Sequence, residues 1–488
     1  MLPTSRHFPE NARRALADPV LQAALGNIPA GFQEKRAEAV ARMPEFAALC
    51  DAARDIKDHT LENLDFYLEA FEARVLAGGG QVHWCRDADE ARAAVLGICE
   101  AAGAETVIKG KSMIGEEIAV NDHLEAHGLE VVETDLGEYI IQLRREPPSH
   151  IIAPAIHLNR GQIAETFLES HREFDTSRPL ETPRELVDEA REVLRAKFLR
   201  ADVGITGANL LIAETGSAVI VTNEGNGGLT LTLPKVHVVI ASIEKLVPTL
   251  EDACTILRVL ARSATGQEMT AYTTFATGPK RAGDPDGPEA FHVVLLDGGR
   301  ARMLASEFRE MLRCIRCGAC MNHCPVYGAV GGHAFGWVYP GPMGAVLTPW
   351  LVGLDEARHL PNASTLCGRC EEVCPMRIPL PRMLRAWRER EFADRITPPA
   401  SRFALGLWAF FARRPWLYHR AAALAAWLLG RLGRRSGRFR RLPLAAAWTR
   451  TRDFAAPEGA TFQSLWAREQ RRSGLGRGAP EPATGRGP

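Results

Sequence analysis

The sequence predicts an α/β domain with a largely parallel sheet, an α-helical two-cluster ferredoxin-like domain after it, and a helical Arg-rich C-terminal region. Three observations carry this. Short β-rich runs alternate with amphipathic helical patterns from about residue 81 to 297, and seven cysteines crowd between 314 and 374. From Arg395 to Pro488 there are 18 arginines, no lysine and four acidic residues. A length of 488 residues, 46% of them apolar, suits about three folded units with real cores. The 59 basic and 59 acidic side chains cancel, so the +14 of the tail leaves −14 on the rest, which argues against a wholly basic nucleic-acid-binding surface. The opening MLPTSRHFPENARR is polar, and the apolar runs 421–429 and 442–448 are too short to span a bilayer. A cytoplasmic location is expected.

Residues 1–75 read as a helical region, with three-and-four apolar spacing in ARRALADPVLQAAL and ENLDFYLEAFEARVL. The α/β domain is expected over 76–298. QVHWC (81–85) leads into a helix at about 88–102, TVIKG (106–110) into one at about 114–127, and EVVETD (130–135) follows. This βαβ pattern continues through 203–226 and 235–242 and ends near HVVLLD. In parallel sheets ligands bind beyond the carboxyl ends of the strands. That rule selects Lys109, Lys111, Ser112, Asn209, Glu214, Thr215, Gly216, Asn223, Glu224, Gly225 and Asn226 as candidate pocket residues, and the lysines and loop amides suit an anionic ligand. The same segments also make ordinary turns, and VIKGKSM fits neither the Walker nor the G-x-G-x-x-G spacing. The Gly- and Pro-rich loop 278–291 is expected to cover a pocket or a seam.

The iron–sulfur region is expected over 299–395. ARMLASEFREMLR (301–313) reads as a helix running into the cysteines, and PRMLRAWREREFA (381–393) as the exit helix. The segment 326–351 reads as too rich in Gly and Pro for long elements. The first cysteine group places Cys314, Cys317, Cys320 and Cys324 at C-x2-C-x2-C-x3-C before Pro325; the second places Cys367, Cys370 and Cys374 at C-x2-C-x3-C before Pro375. In two-cluster ferredoxins the last cysteine of such a run serves the other cluster. Applied here, Cys314, Cys317, Cys320 and Cys374 hold one cluster, and Cys324, Cys367 and Cys370 the second. Zinc, which needs only paired C-x2-C units, and disulfides, disfavoured in the cytoplasm, are the other readings. The second set is one ligand short: it fits a three-iron cluster, or a four-iron cluster completed by His323, His333, water or a substrate. The single Cys50, Cys85, Cys99 and Cys254 read as buried small hydrophobes.

Residues 396–473 form the Arg- and Ala-rich helical region with Trp408, Trp416, Trp427 and Trp448, read as a helical surface against a partner or, more sharply, as one drawn to an acidic protein or anionic lipid headgroups. The low-complexity 474–488 is expected to be disordered.

The block from CIRCGACMNHCPVYGAVGGHAFGWVYPGPMGAVLTP to LPNASTLCGRCEEVCP closely resembles the bacterial lactate utilisation protein B family, as do KSMIGEEIAVN, VVETDLGEYIIQL, PSHIIAPAIH, GITGANLLIAETGSAVIVTNEGN and the TGP…DGPEAFHVVLLDGGR segment. The resemblance covers roughly residues 70–395. It implies an N-terminal LUD domain with the fold of sugar-phosphate isomerases and coenzyme A transferases, whose catalytic residues find no matching motif here. It also implies partnership with lactate utilisation proteins A and C. The resulting expectation is an iron–sulfur electron-transfer subunit, with two clusters most readily of the [4Fe-4S] type, in a complex oxidising L-lactate to pyruvate. Two alternatives stand beside it. In one, the α/β domain itself binds and oxidises a 2-hydroxy acid near Lys109 and Glu214, with the clusters as electron sink. The other is a redox-sensing regulator, for which no helix-turn-helix motif is evident.

Overall fold

The computed structural model describes residues 3–175, 177–442, 445–449 and 451–473. The sequence-predicted tail 474–488 lies outside them. Contacts divide the chain between Ile396 and Thr397 into two compact units.

The first unit is organised by a six-stranded sheet. Its strands are β1 (Gln81–Cys85), β2 (Thr106–Lys109), β3 (Glu130–Glu133), β4 (Val203–Gly207), β7 (Val236–Ser242) and β10 (Ala290–Leu296). Their spatial order is β1-β10-β7-β4-β2-β3, and every pair is parallel. Parallel strands need crossovers, and the crossover helices cover both faces, so strands such as VHVVIAS are apolar nearly throughout. The period of two is still visible in where they pack. Val238 and Ile240 join Ala91, Val95 and Leu124 on one face, while Val239 and Ala241 join Phe71 and Val75 on the other. The helices begin where the sequence supplies caps: Asp87, Ser112 and Asp135 accept from first-turn amides, and Asn159–Gln162 and Thr182–Glu185 form reciprocal capping boxes.

A second sheet interrupts the pattern. It contains β5 (Leu210–Ile212), β6 (Ser217–Thr222), β8 (Leu246–Val247) and β9 (Tyr272–Ala276) in the order β8-β5-β6-β9, with β5-β6 and β6-β9 antiparallel. The sequence pattern predicts continued parallel α/β over 203–226, and the structure differs. The four-residue hairpin turn 213–216 accounts for the difference. Gly216 has φ 70°, and a Cβ there would lie 2.7 Å from the Val75 amide nitrogen.

The cysteine region is helical but more broken than expected at its start and less broken in its middle. The helix Arg300–Leu304 stops, and a 3-10 turn Arg309–Arg313 follows, because the Ser306 hydroxyl accepts from the Phe308 amide and donates to the Met303 carbonyl. Conversely, Gly341–Val352 is a continuous helix despite Pro349 inside it. Pro342 sits in its first turn, where a missing N–H costs nothing. Nine of its residues are buried, so packing outweighs the proline penalty. The exit helix runs Leu380–Ala393.

One large apolar core joins the N-terminal helices (Leu25, Phe46, Cys50, Leu61) to the cysteine region (Met311, Tyr327, Leu347, Trp387) and to β5 and the helix Leu250–Thr265. Polar ties reinforce this seam. Arg300, 1% exposed, is ion-paired with Glu117 at 2.7 Å and with Glu244 at 3.0 Å, and the Tyr339 hydroxyl donates to Glu117 at 2.6 Å. Cys50, Cys85 and Cys99 are buried as expected, whereas Cys254 is exposed on its helix.

The second unit contains the helices Pro399–Ala412, Pro415–Gly433 and Phe462–Ser473 and a two-residue antiparallel pair, Arg438–Phe439 with Phe454–Ala455. Trp408, Trp416, Trp427 and Trp448 are all exposed, and Arg420, Arg431 and Arg452 lie over the last three of these rings. Among the described residues no helix is long and apolar enough to cross a membrane.

Candidate iron–sulfur centre and adjoining pocket

In each cysteine group a left-handed glycine, Gly318 at φ 72° and Gly368 at φ 84°, turns the chain into a four-residue helix, Ala319–Asn322 and Arg369–Glu372, and these two short helices pack against each other. One cavity is lined by Cys314, Cys317, Cys320 and, from the second group, Cys374. Its remaining wall is largely apolar, with Ile151, Met311, Ile315, Met343 and Met376. Four thiols lining one mostly apolar cavity suit a thiolate-bound cluster by donor type and number. Burial pushes the Cys374 thiol up to about 11, with the Ile378 and Met376 amides acting against it as donors to its sulfur. Burial likewise raises Cys317, which accepts from the Ala319 amide.

Cys324, Cys367 and Cys370 interact electrostatically with one another. Cys367 is exposed, and donors from the Arg369 amide and the Thr365 hydroxyl lower its pKa, whereas burial raises Cys370 to about 12. The two histidines separate clearly. His333 donates from Nε2 to the Pro147 carbonyl at 2.8 Å, and its ring packs on His157. His323 donates from Nδ1 to the Ala319 carbonyl at 2.9 Å, which leaves its Nε2 free of that bond, and it feels the charges of Arg369 and Glu372.

A loop of the α/β domain is locked onto this region. His150 accepts at Nδ1 from the Ile152 and Ala153 amides, at 3.0 and 3.1 Å, so its proton is on Nε2, which donates to Asn322 Oδ1 at 2.7 Å. Burial lowers its pKa to about 4, keeping it neutral. Tyr327 donates to the Ser149 carbonyl at 2.9 Å.

A second, larger cavity of about 390 Å³ opens at the carboxyl ends of β2, β4 and β7. β2 and β4 are neighbours, yet the chain leaves β2 outward to β3 and leaves β4 inward to β7, so the cavity lies at a topological switch point. Of the sequence-predicted residues it gathers Lys111, Ser112, Asn209, Asn223, Glu224 and Asn226. The other five do not line it. Lys109, fully buried, bonds Glu133, its register partner, at 2.7 Å and Glu116 at 3.0 Å. Glu214 accepts from the Leu250 amide, Thr215 donates to Ser217, and Gly216 packs on the Arg74–Val75 backbone. Gly225 is the left-handed residue preceding the helix Asn226–Thr232. Sequence reasoning missed Lys245, Arg316, Cys317 and Tyr339, which also line this cavity. The last three belong to the cysteine region, and only the adjacency of Arg316 to Cys317 hinted at them. Ile151, Arg316 and Cys317 line both cavities and so form their common wall.

A LUD-domain model matches residues 68–296, and a 4Fe-4S dicluster-domain model matches residues 310–378. "Lactate utilization protein B" of Bacillus licheniformis is 40% identical over 476 residues, covering 96% of this chain and 98% of that protein. The Bacillus subtilis protein of the same name is 40% identical over 468 residues, covering 94% and 96%. The chain belongs to the lactate utilization protein B family. "Uncharacterized electron transport protein YkgF" of Escherichia coli is also 40% identical, over 467 residues, covering 95% of this chain and 97% of that protein. The dicluster match contains all seven clustered cysteines, so between iron–sulfur, zinc and disulfides the family decides for iron and sulfur.

Proposed function

We propose that the chain is an iron–sulfur electron-transfer subunit of a complex that oxidises L-lactate to pyruvate, working with the family's A and C proteins in the cytoplasm. The observation that carries this reading is the arrival of Cys374 in the cavity of Cys314, Cys317 and Cys320, the crossed wiring of a two-cluster ferredoxin. Cys324, Cys367 and Cys370 then hold the second cluster, with a non-cysteine ligand completing it. His323, through its free Nε2, is the side chain that fits that role. Bound clusters would accept and pass single electrons. The chain's own part is to set distance and potential: Arg36 and Arg316 place positive charge beside Cys317 and Cys314 respectively, and backbone amides donate to the sulfurs. The family relationship and the thiol-lined cavity support this reading together.

The test is iron and sulfide analysis with EPR on anaerobically purified full-length protein. Seven to eight irons per chain and two reducible signals are the expected result. Cys374→Ser is expected to remove or convert one signal and leave the other, and His323→Ala to alter only the second. Zinc without sulfide would end the proposal, as would a Cys374→Ser protein with both signals unchanged.

A further inference from the structure

The cavity at the strand ends has a composition that selects a ligand. Five charged residues line it: Lys111, Lys245 and Arg316 against Asp135 and Glu224. Asp135 is committed to capping, since its Oδ1 accepts from the Gly137 and Glu138 amides, and Glu224 lies at the exposed rim, where its Oε2 accepts from the Asn223 amide. Lys111 donates to the Ile152 carbonyl, and Arg316 lies 3.5 Å from Glu244 and over the Tyr339 ring. Lys245 Nζ makes no hydrogen bond among the described residues. The interior therefore favours an anion.

One neutral group adds specificity. Asn226, 6% exposed, lines the cavity, and its Oδ1 has no hydrogen-bond partner. Thr134 gives its proton to the Lys109 carbonyl at 3.0 Å, and Thr230 gives its proton to the Asn226 carbonyl at 2.9 Å. The Asn226 Nδ2 lies 3.5 Å from the Thr134 hydroxyl oxygen, itself 3.1 Å from the Thr230 hydroxyl, and Oδ1 is the amide atom left without a partner. A buried acceptor without a donor is costly, and a ligand hydroxyl relieves that cost. Ile151, Ile152, Ile220 and Leu260 supply an apolar wall for a short carbon chain.

We infer that this pocket binds a 2-hydroxy carboxylate, with the lysines and Arg316 attracting the carboxylate and Asn226 Oδ1 accepting from the hydroxyl, against the wall that contains Cys317. The inference concerns binding alone; it rests on the proposed function only for the placement of a cluster behind Cys317. An acceptor aimed at a hydroxyl discriminates against the corresponding 2-oxo acid, which has no proton to give.

Calorimetric titration of the anaerobic full-length protein with L-lactate and with pyruvate tests this. Saturable L-lactate binding at least fivefold tighter than pyruvate is expected. Lys245→Met is expected to weaken both tenfold or more. Asn226→Ala is expected to abolish the preference while leaving pyruvate binding within twofold, and L-lactate is expected to perturb the EPR signal of the Cys374-dependent cluster. Absence of saturable binding in protein that shows both EPR signals overturns the pocket alone. Binding insensitive to Lys245→Met, or a preference that survives Asn226→Ala, overturns it equally. Protein that binds L-lactate with this selectivity but contains no iron or sulfide would instead overturn the electron-transfer reading and leave the pocket standing.

Discussion

Lys109 shows what a single residue can conceal. Read from the sequence it is a basic residue at a strand end and hence a pocket candidate; in the fold it neutralises a buried carboxylate cage of Glu116, Glu133 and Glu138. Side-chain direction, set by its register opposite Glu133 on β3, decides between the two roles and is not written in the local pattern. Burial, with Glu116 and Glu133 nearby, pushes the Glu138 carboxyl well above the usual range, and burial raises Glu133 to about 7 even though Lys109 opposes it. A raised carboxyl binds a proton more readily folded than unfolded. Its stabilisation is therefore complete below the ordinary carboxylate range and is lost as pH rises through about 7. Glu138→Gln, neutral at every pH, is expected to flatten the fall in unfolding free energy between pH 6 and 8 and to be the more stable protein at pH 8. Lys109→Met, which strips the cage of its cation, is expected to cost roughly 3–5 kcal/mol at pH 8 and less at pH 6. Denaturant titrations at the two pH values measure both, and equal slopes for wild type and Glu138→Gln would refute the protonated cage.

At the scale of elements, the parallel strands were legible because burial on both faces makes them continuous apolar runs, and the helices because their caps are chemical signals. The four-stranded second sheet was not, since its antiparallel pairing depends on a four-residue turn whose need for Gly216 comes from the distant Arg74–Val75 backbone. The helix Gly341–Val352 was hidden for a related reason: Gly and Pro lower its propensity, and tertiary burial restores it. Contact between the cysteine region and the α/β domain also turns on one small residue. A Cβ at Gly332 would sit 1.7 Å from the Ser149 carbonyl oxygen, in the loop that His150 and Tyr327 hold. Gly332→Ala is expected to destabilise by about 1–3 kcal/mol and to lower the iron bound per chain, because the seam must open to admit the methyl. Wild-type thermal stability and full iron content in this variant would show that the seam is not close-packed.

For the molecule as a whole, the cysteine spacing announced the chemistry and the strand-end rule announced a pocket, but their shared wall was unreadable. It requires Arg316 and Cys317 to meet residues following β2 and β4 across a fold whose core runs from the N-terminal helices to Trp387. All seven clustered cysteines and every residue lining either cavity lie before Thr397. The Arg-rich unit after it has contacts of its own, and none of its described residues lines either cavity. A chain ended after Ile396 is therefore expected to retain the iron and sulfide content and both EPR signals of the full protein. It loses 17 of the 18 tail arginines and the four acidic residues, which leaves a strongly anionic protein that elutes later from an anion exchanger. Should the shortened chain lose one signal while remaining folded by circular dichroism, the cluster module must extend past Ile396. If both signals persist but electron transfer to a membrane fraction or to the partner proteins fails, the positive charge and exposed tryptophans of the second unit serve docking.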